Sequence, residues 1–156
     1  MKIKSKVLIV AFTFAFIIGV LSESIQYVGM LHTTVDSLAA INTIVGTVRE
    51  IVSPLLLFIT FYFMGKKAET INDFYSNLFS FFLGNWIGLT LGHSITLAVV
   101  LTAFSSVSAV GIGLTILGWL GSSLFSYSFF VGCGALAISY IVNGKPVSAN
   151  IARANC

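Results

Sequence analysis

From Phe74 to Val142 the chain runs 69 residues without one Asp, Glu, Lys or Arg side chain. A soluble domain carries roughly a quarter charged residues; this whole chain has 8% charged and 57% hydrophobic residues, with a mean hydropathy of +1.02. In water such a chain would leave large apolar patches exposed, so the bilayer is the expected solvent. Lipid offers no hydrogen bonds, which restricts spanning backbone to helices and closed barrels. Apolar positions here recur at three, four and seven, as at Val28, Leu31, Val35, Leu38, Val45, Val48 and Val52, the period of a helix. The expected fold is all-α, an integral membrane bundle of about four transmembrane helices.

Within the charge-free stretch, small residues stand at every fourth position: Ser76, Ser80, Gly84, Gly88, Gly92 and Thr96. That spacing stacks neighbours along one side of a helix and lets a second backbone approach closely in lipid. Each four-residue step advances about 40° around a helix of 3.6 residues per turn, so a straight partner meets only part of the row. Ser80, Gly84, Gly88 and Gly92 are the expected packing residues. The partner is open: another copy of this chain or another protein of a larger membrane assembly.

The spans follow from length and punctuation. Residues 1–22 have the form of a signal peptide, MKIKSK followed by an apolar run, but no good small-x-small cleavage site follows. They read as the start of a first span, 5–28. A hairpin tip at 29–43 contains Asp36 and Ser37, which suit a helix cap, and a second span at 44–64 contains Pro54, a bending residue. The loop 65–73 carries Lys66 and Lys67, and its Thr70 and Asp73 form a helix-start pattern. A third span covers 74–103, and Phe104–Ser108 supplies a turn. The fourth, 110–142, is weakened by Gly111, Gly113, Gly118 and Gly121. It reads as one kinked helix, or as a broken piece before a span from Ser123, which would make five. A tail, 143–156, closes the chain.

Charge selects four. With both termini and the 65–73 loop cytoplasmic, seven of the eight basic residues lie inside and only Arg49 lies outside. The expected location is the cell membrane, multi-pass. The basic residues flank apolar runs and do not form a patch, which argues against nucleic acid despite a net charge of +3. Cys133 and Cys156 have no CxxC or Cys/His spacing, so no metal site is expected.

His93 is the one ionisable residue well inside a span, which makes it a candidate for cofactor binding or a polar intramembrane site. Asn85 and Asn77 precede it at eight-residue intervals and share a loose polar edge with it. The plain alternative is interhelical hydrogen bonding. Haem held by this chain alone would need His32, which falls outside the membrane. Arg49 and Glu50 mark a solvated interface or, more sharply, an ion or substrate entry. Trp86, Trp119 and the phenylalanines read as lipid-facing or core residues, and Tyr127 has no acid or base beside it. There is no HExxH, P-loop, GxSxG or GxGxxG, and no pair of intramembrane carboxylates. The expected function is therefore non-enzymatic and needs no cofactor or metal. It is an accessory subunit of a larger membrane complex, or a self-assembling bundle, with membrane lipid, other membrane subunits or its own copies as partners. A small channel or transporter is the second expectation, and a subunit lending His93 to a redox cofactor the third.

Overall fold

The computed structural model describes residues 2–32, 43–44, 46–104, 113, 116–118, 120–121 and 126–143. Helix α1 spans Ser5–His32. A π-helical segment, Val48–Val52, runs into α2, Ser53–Gly65. Helix α3 spans Ile71–Phe104 and α4 spans Tyr127–Asn143. No strand occurs among the described residues.

The bundle is built on α1 and α3, which lie parallel. On α1, Val7, Ala11, Ala15 and Gly19 repeat every four residues and are buried. They face the small-residue row of α3, all six members of which are buried. The approach is between backbones. A Cβ added to Gly84 would overlap the carbonyl oxygen of Leu8, and one added to Gly88 would stand 2.5 Å from that of Phe12. At Gly92 the same atom would lie 2.7 Å from the carbonyl of Phe16. At the start of the ladder, the Lys4 backbone N–H donates to Ser80 Oγ at 2.8 Å, across 76 residues of sequence. The same offset holds at each glycine rung, so the two helices keep register from Ser80 to Gly92.

Helices α2 and α4 form a second parallel pair. Ser139, fully buried, donates to the Tyr62 carbonyl at 2.6 Å, and a Cβ on Gly65 would meet the Ser139 Cβ at 3.0 Å. The pairs join antiparallel through aromatic side chains. Phe61 and Phe81 meet edge-on at 4.6 Å between ring centres, Phe81 covers Gly132, and Phe74 stacks on Tyr140 at 4.8 Å. The start of α1, the 66–70 connection and the end of α4 consequently share one end of the bundle. There Asp73 N–H donates to Thr70 Oγ1 at 3.1 Å and the Thr70 hydroxyl donates to Asp73 Oδ2 at 2.9 Å. This caps α3, so the connecting loop ends three residues earlier than the sequence pattern suggests.

The boundaries correct the expected spans. The first helix continues beyond 28 to His32. The third starts at Ile71 instead of 74. The second is divided: Pro54 has no N–H to give and its ring crowds the carbonyl four residues back. Directly before it the backbone takes a wider π turn, in which Ser53 N–H donates to Val48 O. The fourth is not one helix from 110, because Ser126 is non-helical. The hairpin tip from 33 to 42, the Phe104–Ser108 turn after Phe104, Trp119, most of Gly111–Gly121 and the tail from 144 lie outside the described residues.

Among the described residues, two helices are long and apolar enough to cross a membrane, over Ser5–Ser22 and Ile71–Val99, where four are expected. The other two apolar helices, Glu50–Gly65 and Tyr127–Asn143, are shorter. At 1.5 Å per residue, α1 and α3 are about 42 and 51 Å long, and α2 and α4 about 20 and 26 Å.

The backbone contact predicts a graded response to added side chains. Gly88→Ala should destabilise the detergent-solubilised protein by about 1–3 kcal/mol through overpacking, and Gly88→Leu should abolish a monodisperse fold. Gly134, with nothing within 4 Å of its Cβ position, should accept Ala with a gain of about 0.5–1 kcal/mol. Thermal unfolding of the three variants measures the order; equal stability of Gly88→Ala and Gly134→Ala would contradict the close approach.

Candidate functional site

The polar centre of the bundle lies where α3 meets the start of α4. Asn85 is only 1% exposed, and a buried amide must be hydrogen-bonded to be tolerated. Its Nδ2 donates to Ser126 Oγ at 3.2 Å, and its Oδ1 accepts from the Ser128 hydroxyl at 3.0 Å. The two serine oxygens are 3.0 Å apart. Because the Ser128 proton is committed to Asn85, Ser126 supplies the proton between them. The three side chains thus close a ring in which each donor has one acceptor. Ser126 Oγ also accepts from Phe129 N–H at 3.3 Å, the bond of a helix N-cap. Next to Asn85, Trp86 Nε1 donates to the Leu120 carbonyl at 3.0 Å. Adjacent residues of α3 therefore hold both the N-cap of α4 and the carbonyl of Leu120.

Behind this ring lies a cavity of about 600 Å³ between the helices, lined by Ile18, Glu50, Pro54, Leu89, Tyr127 and Ser128 among others. A second cavity of about 470 Å³ between α1 and the π segment is almost wholly apolar. Ile18 and Ser53 line both. Glu50, at the π turn, brings a carboxylate to this level, and the side chain of Arg49 lies outside the described residues.

Ser80, Gly84, Gly88 and Gly92 lie together on the α1 face, within the chain. Asn85 and His93 are not drawn into one site. His93 stands eight residues beyond Asn85, about 12 Å further along α3. It is half-buried, with its backbone nitrogen 3.2 Å from where a Gly19 Cβ would be. It lines neither cavity described above. Among the described side chains it is the only histidine, and no group of three His, Cys, Asp or Glu gathers as a metal site would require. Asn77 is buried nearer the charged end. Cys133 is half-buried against the core.

Ser126 and Ser128 are the residues that sequence reasoning missed. A serine ahead of an apolar run is a helix-start signal, and Ser126-Tyr-Ser128 carries it, but the glycine cluster upstream drew the boundary away. By sequence Lys4 is one of the charges flanking an apolar run; its ammonium lies 2.6 Å from Asp73 Oδ1, a partner 69 residues away that no local pattern reveals.

The ring predicts coupling. Asn85→Leu and Ser126→Ala should each cost about 1–3 kcal/mol of stability, as loss of a buried hydrogen-bond partner does. The double variant should lose well under the sum, because both break the same ring. Additive losses in a denaturant or thermal cycle would show that the ring does not hold α4.

No family model matches the chain, and no curated protein or solved structure is similar to it.

Proposed function

We propose that this chain is a small multi-pass integral membrane protein without catalytic machinery, serving as a structural or accessory subunit of a membrane assembly. The observation that carries the reading is the outer surface together with the α1–α3 contact. Glycine, alanine and serine line that contact, Phe61, Phe81, Leu57 and Leu136 are buried where the pairs meet, and Ile9, Phe63, Phe130 and Ile141 stand 58%, 61%, 58% and 78% exposed. Small residues at a close helix contact with large apolar side chains on the outer surface accord with a bundle packed in lipid. Four crossings with both termini cytoplasmic accord with Lys2, Lys4, Lys6, Lys66 and Lys67 sharing the end where α4 finishes. The shorter helices, about 20 and 26 Å, meet a hydrocarbon core of about 30 Å by local thinning or extended flanks.

The manner of assembly differs from the sequence expectation. Helix α1 of the same chain occupies the glycine face of α3, so copies or other subunits meet this protein on its large apolar side chains. The polar groups at Asn85 satisfy one another, which favours a structural role. A second reading, a small channel or transporter, draws on the cavity of about 600 Å³ beside Glu50.

Carbonate-resistant membrane retention is the first expectation. In a Cys133→Ser, Cys156→Ser background, Lys66→Cys and Asn143→Cys should react with an impermeant maleimide from one side and Thr43→Cys from the other. Labelling of Lys66→Cys and Asn143→Cys from opposite sides would refute the topology. Native mass spectra of mild-detergent extracts should show companion chains or copies at fixed stoichiometry, and His93→Gln should leave that mass unchanged. A monomer alone, with liposome flux sensitive to Glu50→Gln, would establish the transporter reading instead.

A further inference from the structure

We propose that the cavity at the lysine-rich end of the bundle binds the phosphate headgroup of an anionic phospholipid. This rests on the membrane reading above. The cavity, about 420 Å³, lies between the start of α1, the end of α2 and the first turns of α3.

Three features of its wall point to an anion. The first is the beginning of α1. Ser5, Lys6 and Val7 line the cavity and are the first residues of a 28-residue helix, where backbone N–H groups lack intrahelical acceptors and the dipole is positive. No acidic residue occupies that first turn, and Lys4, which precedes it, has no side-chain acceptor to cap it. Lysines at a helix N-terminus oppose the dipole, so this end of α1 is electrostatically incomplete. The second feature is charge. Lys4, Lys6 and Lys67 line the cavity with Asp73 as the single acid. Asp73 is committed to the Lys4 ammonium and the Thr70 hydroxyl. Lys6 and Lys67 form no ion pair among the described residues. The third feature is Asn77, which is 6% exposed and lines the cavity; its side-chain amide makes no hydrogen bond among the described residues. The amide atoms stay accessible from the cavity, and the side-chain N–H groups suit a phosphate oxygen.

The remaining wall identifies the source of the phosphate. Val7, Phe63 and Met64 line the same cavity, and Phe63 continues onto the exposed apolar surface. A free phosphate has no use for that wall, whereas the acyl chain of a lipid lies along it. Basic pockets between helices on the cytoplasmic side are a recurrent form of lipid headgroup recognition.

The test uses the full chain in micelles containing equimolar phosphatidylglycerol and phosphatidylcholine, read by native mass spectrometry. Phosphatidylglycerol adducts should predominate, and Lys67→Gln should weaken their binding about five-fold. Lys66→Gln removes the same charge from the neighbouring position, which does not line the cavity, and should change little. Asn77→Leu should also weaken binding; if it fails to fold by circular dichroism, the lysine pair decides. Equal adducts of both lipids on the wild type would overturn the proposal, as would equal effects of Lys66→Gln and Lys67→Gln, which indicate diffuse surface charge. Displacement of the lipid by millimolar glycerol phosphate would also overturn it, revealing a free-phosphate site. Each of these outcomes is read on carbonate-resistant, membrane-inserted protein; extraction by carbonate would overturn the membrane reading itself.

Discussion

The structure depends on the approach of two backbones, α1 and α3, to a distance that no Cβ allows. At Gly88 the hydrogen that replaces a side chain faces the Phe12 carbonyl, the geometry of a weak Cα–H···O contact. On the membrane reading proposed above, lipid supplies little hydrophobic drive for helix association, and dispersion between close backbones does much of the holding. The fixed register with the Lys4–Ser80 hydrogen bond and the neighbouring Lys4–Asp73 ion pair pins the ladder at its charged end. At the other end, Thr96 turns its hydroxyl back onto the Gly92 carbonyl at 3.0 Å and leaves the interface narrow.

The second pair of helices is held by a different chemistry, and its position follows from the first. With α1 filling the glycine face, α3 has its aromatic and amide side chains free for α2 and α4. Phe81 takes both Phe61 and the bare surface of Gly132. Asn85 takes Ser126, the N-cap of α4. A helix cap is usually local, but here the capping serine is itself oriented by a residue on another helix. Where α4 begins is therefore a tertiary decision.

That distinction explains what could be read in the sequence. Thr70 and Asp73 were legible because a cap joins residues three apart. The glycine row was legible because its period is local, and its partner was not, because matching rows on α1 and α3 are recognisable only once paired. The 40° drift per step suggested that part of the row would turn away from any one helix. Its whole length is buried because α1 carries the same four-residue repeat, so both rows drift together; a repeat longer than 3.6 residues calls for right-handed wrapping. Asn85 and His93 looked alike by residue type and shared edge. Packing separated them: one meets Ser126 and Ser128, and the other stands about 12 Å away along the same helix.

Length assigns the two ends of the bundle different tasks. All four helices reach the charged end, where Lys4, Asp73 and Tyr140 lie close together. Helix α4 begins at the level of Asn85, while α3 continues to Phe104, roughly 28 Å further. The charged end is thus the one at which every helix is anchored, by hydrogen bonds, an ion pair and stacked rings. Beyond Asn85 the contact between α1 and α3 continues through Gly88 and Gly92, and His93 belongs to that section. A polar group placed there acts on the pairing of α1 and α3 before it acts on anything else. Ligand chemistry at the charged end uses groups that the four-helix contact already holds in place.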